Sequence, residues 1–148
     1  MIKNNKNNLI ETYEVSEKGF HPLLIRDNWQ VAKLNYLEDQ NIRNIKKLDI
    51  HFNTDEVFVL LKGKAVIIAA VFENEIPVFE IELMKENTIY NIPKNRWHNI
   101  AMEEGSEVLL VEKSNTHLSD FDHFNLDPKH ITILRDKVEE LLKNKTNR

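Results

Sequence analysis

The sequence predicts an all-β protein, an antiparallel sandwich or barrel carrying one α-helix at its C-terminal end. Between residue 9 and about residue 120, short runs rich in Val, Ile, Phe and Tyr recur at roughly 8–12-residue spacing. Gly, Asn, Asp or Pro punctuates most of the gaps, which suits antiparallel hairpins better than βαβ units. After Leu118 the texture changes and a helical period sets in.

Taken in order, residues 1–8 are Asn/Lys-rich and are expected to fray as a tail. Candidate strands then cover 9–15, 21–26 (HPLLIR), 29–37 (WQVAKLNYL), 47–52 and 56–62. They continue over 64–72 (KAVIIAAVF), 77–84 (PVFEIELM), 88–92, 97–102 and 107–113 (EVLLVEK). The runs 57–61 and 65–71 are apolar on both faces, so those strands should be enclosed. Asp127-Pro128 is a helix start, a capping side chain followed by proline at the first helical position. Ile131, Leu134, Val138 and Leu141 then form one apolar stripe, which predicts a helix over about 128–143 and a solvated NKTNR tail. The expected organisation is a tail (1–8), a β-domain (9–120) and a helical extension (121–148). The stripe needs a surface to cover, either the outer face of the β-domain or a second subunit.

Composition narrows the functional classes. A chain of 148 residues, 41% of them hydrophobic, can bury one real core. A net charge of −4 with no block of Lys or Arg longer than two residues argues against nucleic acid, whose phosphates need a concentrated basic face. With no cysteine there is no disulfide, no thiolate catalysis and no sulfur-ligated metal. The opening MIKNNKNNLIETYE has no long apolar core and no small-residue cleavage pattern, and no apolar run approaches a membrane span. A soluble, cytoplasmic protein is expected.

The chemistry concentrates in two stretches. In DIHFNTDEVFVLLKG (49–63), His51 stands before a polar turn and Glu56 leads an apolar strand that ends at Gly63. In PKNRWHN (93–99), His98 follows a proline-containing turn at the head of another apolar run. Asp49 and His51 share a strand face, and Phe58 and Leu60 share the face of Glu56. A carboxylate among apolar neighbours needs a partner, and His98 from a distant strand is a candidate to help hold a cation there. His51, Glu56 and His98 make a two-histidine, one-carboxylate set, with Asp49 able to supply a fourth ligand. Such an N/O set without sulfur suits Fe(II), Mn(II), Ni(II) or Zn(II). A metal-free pocket in which these groups hydrogen-bond each other is the plainer alternative.

Residues 45–113 resemble the cupin superfamily. Its first motif ends in histidine, a short gap, glutamate, six residues and glycine, which His51, Glu56 and Gly63 match. Its second motif frame falls on Asn87, Pro93, Asn95 and His98. The chain departs from the pattern where the family's first histidine becomes Asp49, and where its glycines become Arg43, Asn87 and Asn95. Asparagine tolerates a left-handed backbone best after glycine, so the last two changes are mild. The resemblance implies a small, RmlC-like double-stranded β-helix (jelly-roll) barrel with a divalent transition metal at His51, Glu56, His98 and Asp49. It also implies a small-molecule ligand, with Phe58, Leu60, Tyr90, Ile100 and Met102 as candidate substrate-binding residues. Many cupins pair as homodimers, and an edge strand near the N-terminus could serve for that.

Two functions compete. One is a metal-dependent enzyme acting on a small polar, sugar-like molecule, with dioxygenase chemistry equally open to the same ligands. The other is a non-catalytic binding module. The segment SNTHLSDFDH (114–123) gathers two histidines, Ser119 and two aspartates, but reads as loop chemistry because no nucleophile motif surrounds the serines. Trp97 should pack between layers, on the face opposite His98, and Trp29 should serve as core or as an interface anchor.

Overall fold

A computed structural model describes residues 1–5 and 9–144. Alternating side chains along each apolar run give each strand one face toward a shared core. In chain order the strands are β1 (Lys3–Asn4), β2 (Tyr13–Glu14), β3 (Gly19–Ile25), β4 (Gln30–Asn35), β5 (Lys47–Ile50) and β6 (Glu56–Lys62). They continue as β7 (Ala65–Glu73), β8 (Ile76–Leu83), β9 (Ile89–Ile92), β10 (Trp97–Met102) and β11 (Glu107–Glu112). A short helix α1 (Thr116–Ser119), a last strand β12 (Asp122–Asn125) and the long helix α2 (Pro128–Asn144) complete the chain.

Two five-stranded antiparallel sheets result, ordered β12-β5-β10-β7-β8 and β3-β4-β11-β6-β9. This is the expected all-β jelly roll with its C-terminal helix, but the sheets do not close into a barrel. Among the described residues no strand is hydrogen-bonded into both sheets. Residues 6–8 and 145–148, parts of the two expected tails, lie outside the described residues. Lys3–Asn4 pair with Tyr13–Glu14 as a two-stranded ribbon, so only the end of the expected 9–15 strand is extended sheet. β12 was not expected. DHFN carries one apolar residue and no β-branched one, so its pairing with β5 has no local signature.

The core has two layers. Between the sheets lie Ala32, Leu34, Phe58, Leu60, Ile67, Ile100, Met102, Val108 and Leu110. The outer face of the β12–β8 sheet buries Leu48, Val66, Ile68, Ala70 and Ala101 against Leu134 and Val138 of α2. This explains the doubly apolar run 65–71: odd positions from Ala65 to Ala69 face the other sheet, while Val66, Ile68 and Ala70 face the helix. The helix stripe therefore covers the domain's own sheet. The run 57–61 is less enclosed than expected, since Leu61 is 45% exposed. Trp97 packs in the outer layer against Phe72 and Phe124, whereas Trp29 is 45% exposed and not core.

The turns fit their residues. Asn87 and Asn95, which stand at the glycine positions of the motif, have φ of 60° and 62°. Asn74 and Glu75 have φ of 49° and 66°, giving the mirror-image turn that suits the twist of the β7–β8 hairpin. Gly63 has φ of 86°, and a Cβ there would lie 2.7 Å from the Ser106 Cα. Ser106 Oγ accepts the Lys64 N–H at 2.9 Å and donates to the Lys64 carbonyl at 2.8 Å, which holds the two chains that close. Gly63→Ala is expected to cost about 2 kcal/mol from left-handed strain and overpacking together. Urea unfolding checks this, and an unchanged midpoint would refute the close approach.

Candidate functional site

Three loops meet at one end of the sandwich and bring His51, Glu56 and His98 together. His51 lies just beyond β5, Glu56 opens β6 and His98 is the second residue of β10. The β5–β6 and β9–β10 loops are tied by the Asn95 N–H to the His51 carbonyl at 2.7 Å. Asp55 accepts the Lys94 N–H at 3.0 Å and the Asn91 side-chain amide at 3.1 Å. These hydrogen bonds hold the Asp55 carboxyl below its usual range, the one from Lys94 contributing most. A third segment, 114–123, straps the site. Asp120 accepts the N–H groups of Phe52 and Asn53, each at 3.0 Å, and its own carbonyl accepts from His51 Nδ1 at 2.6 Å.

The trio has a definite proton arrangement. His51 Nδ1 faces the Asp120 carbonyl, and His98 Nδ1 faces the Arg96 carbonyl at 2.9 Å. A carbonyl only accepts, so each Nδ1 carries hydrogen. Both Nε2 atoms then converge on one oxygen, Glu56 Oε2, at 3.2 Å from His51 and 2.8 Å from His98. A ligand atom from each of the three residues lies within 4.8 Å of the others. Glu56 and His98 are buried, 6% and 4% exposed.

Without a cation this convergence requires imidazolium. Burial opposes charge on both histidines, but the hydrogen bond and charge of Glu56 outweigh it; His51 is raised to about 9, and His98 is raised too. Burial would push Glu56 up, yet the two histidines hold it at about 2.

Asp49, the expected fourth ligand, is not drawn into this group. It lines the same cavity, but its Oδ1 accepts from His123 Nδ1 at 2.5 Å, because β12 sets His123 directly across from it. The cavity beside the trio measures about 190 Å³. Phe58 and Ile100 line it, with Phe20, Leu34 and Leu110. Leu60 and Met102 belong to the same inter-sheet core but do not line the cavity, and the Tyr90 hydroxyl accepts the Lys85 N–H at 2.9 Å. A larger cleft of about 420 Å³ lies beside α2, where Arg43 pairs with Glu139 at 3.6 Å and Lys64 with Glu103 at 3.9 Å.

Sequence reasoning missed Glu112, Gln30 and Gln40 and set His117 aside with its segment as loop chemistry, yet all four lie at the cavity or support it. Glu112 is 6% exposed and faces Glu56 across the β11–β6 ladder. Burial, then the charge of Glu56, pushes its carboxyl up to about 7. A signal was available: Glu112 shares strand parity with Val108 and Leu110, and Gln30 with Ala32 and Leu34, so each puts a polar group on a buried face.

Structural comparison places this architecture among known folds. A crystal structure of BH2720 from Bacillus halodurans superposes with a TM-score of 0.51 at 15% identity, over 80% of this chain and 84% of that one. A cupin-2 domain protein from Shewanella frigidimarina gives 0.47 at 16% identity, over 67% and 84%. The QdtA 3,4-ketoisomerase of Thermoanaerobacterium thermosaccharolyticum, in complex with TDP, gives 0.49 at 15% identity, over 82% of each chain. These likenesses bear on the fold alone, which the strand order of the two facing antiparallel sheets defines as a double-stranded β-helix, or jelly roll. No family model and no curated protein matches it in sequence. Among the described residues no helix is long and apolar enough to cross a membrane.

Proposed function

We propose that His51, Glu56 and His98 hold a divalent transition metal and that the chain is an enzyme acting on a small polar, sugar-like molecule bound in the adjoining cavity. The observation that carries this is the commitment of both Nδ1 atoms to backbone carbonyls, 2.6 Å and 2.9 Å away. That outer contact fixes each ring's orientation and turns both Nε2 atoms toward one carboxylate oxygen, so that each, once deprotonated, presents its lone pair to a shared cation. Two imidazoles and a carboxylate suit Fe(II), Mn(II), Ni(II) or Zn(II). When bound, such an ion supplies a Lewis acid for a carbonyl or hydroxyl oxygen. The chain's own residues do the rest. The loop ties around Asp55 and Asp120 hold the ligating atoms in place, and Phe58, Leu34 and Leu110 present an apolar wall that limits water.

A metal-free binding module is the second reading, favoured by the ionised trio, which satisfies itself as an imidazolium–carboxylate cluster. Elemental analysis of protein purified without chelator or tag-derived metal separates the two. Close to one transition metal per chain is expected, with loss of it in His98→Ala. Metal-free protein whose melting temperature ignores added Mn, Fe, Ni and Zn would establish the binding module instead.

A further inference from the structure

Behind the cavity wall, Gln30 is fully committed and organises two neighbours that line the cavity, Glu112 and His117. Its Oε1 accepts the Asn115 N–H at 2.8 Å, which fixes the amide orientation. Its two amide hydrogens go to Glu112 Oε1 at 2.8 Å and His117 Nδ1 at 3.2 Å. The other carboxyl oxygen of Glu112, Oε2, is buried with no partner among the described residues. Because His117 Nδ1 accepts, the ring hydrogen of the neutral imidazole sits on Nε2. Gln40 Oε1, in the same cavity lining, is likewise buried without a partner. A buried polar atom left unpaired costs free energy that a ligand group can recover.

We infer that Glu112 Oε2 and His117 Nε2 form a hydroxyl-recognition subsite, oriented by Gln30, for a ligand carrying hydroxyl groups on a compact apolar frame. A hydroxyl is the group that both donates and accepts, so it satisfies the carboxyl and the ring N–H together. An ether oxygen or a methyl group satisfies one or neither. Gln40 Oε1 offers an acceptor for a second hydroxyl. The apolar wall of Phe20, Phe58 and Leu110 fits the carbon skeleton between them. This deepens the metal reading and rests on it only for the end of the ligand that meets the trio.

The test uses cis-1,2-cyclohexanediol and its dimethyl ether as probes, titrated by ligand-observed NMR against the full chain. Chelator-treated and Mn(II)-loaded protein are compared with Glu112→Leu and His117→Phe. The diol is expected to bind about tenfold or more tighter than the ether, with that preference lost in both variants while metal content stays unchanged. His117 is half-buried, so His117→Phe decides the matter if Glu112→Leu does not fold. Equal binding of diol and ether, or a preference that survives His117→Phe, overturns the subsite. A preference in protein that holds no metal leaves the subsite standing and removes the metal reading. Metal retained without any preference does the reverse.

Discussion

Replacing Glu56 by leucine is expected to lower stability by about 3–5 kcal/mol, the usual cost of removing one partner from a buried ion cluster. Glu56 is the shared acceptor for both imidazoles, at 3.2 Å from His51 and 2.8 Å from His98. With it gone, His98 at 4% exposure loses its hydrogen-bonded counter-charge, and its protonated form becomes the costly one. The pH response should therefore change as well as the midpoint. In the parent chain His51 has a folded pKa of about 9 against 6.5, so its contribution is full below about pH 6.5 and lost as pH rises through about 9. In the variant a buried histidine favours the neutral form. Its contribution is then present above about pH 6.5 and lost on acidification. Urea unfolding between pH 5 and 9 reads both effects. A variant with the parent's midpoint and the parent's alkaline decline would rule out the ion cluster.

Metal and pH together produce the second large effect. In metal-free protein four groups of the site set the profile, and His98, raised like His51, adds to the loss of stability as pH rises. Glu56, at about 2 against 4.5, contributes above about pH 4.5 and loses this as pH falls through about 2. Glu112, raised from 4.5 to about 7, favours the fold while protonated and withdraws that support as pH rises through about 7. His51 adds its decline toward about pH 9. Metal-free stability should be highest near pH 5 and fall by about 2 kcal/mol by pH 9, a figure discounted for coupling and solvent screening. Metal binding carries the opposite sign, because both Nε2 atoms must release protons to ligate. At a free metal concentration of a thousand times Kd the ion adds about 4 kcal/mol, and that increment grows with pH. Thermal melts with chelator and with Mn(II) or Zn(II) should therefore diverge from pH 6 to pH 9. Curves that stay parallel would leave the imidazolium–carboxylate cluster as the resting state and remove the cation.

How far the site could be read in advance follows from what local pattern reports. His51, Glu56 and His98 stand at motif spacings, and their convergence needed only that the strands carrying them share a sandwich. Asp49 has the right parity to join them, yet parity gives a face and not a partner. Its partner is His123, on a strand that DHFN does not announce. Leu60 and Met102 also have the right parity, but they lie deeper along their strands than the cavity reaches.

Local pattern along the chain was enough for the antiparallel β class, the C-terminal helix with its apolar stripe, the turns at Asn87 and Asn95, and the three groups of the candidate site. Each is a matter of side-chain period or backbone preference within a few residues. The assembled fold was needed to show that the sheets stay open, that α2 covers its own domain, and that Gln30 reaches Glu112 and His117 across 82 and 87 residues of chain. Those outcomes depend on which strands lie side by side. Sheet order is set by the packing of the whole core, and no short stretch of chain encodes it.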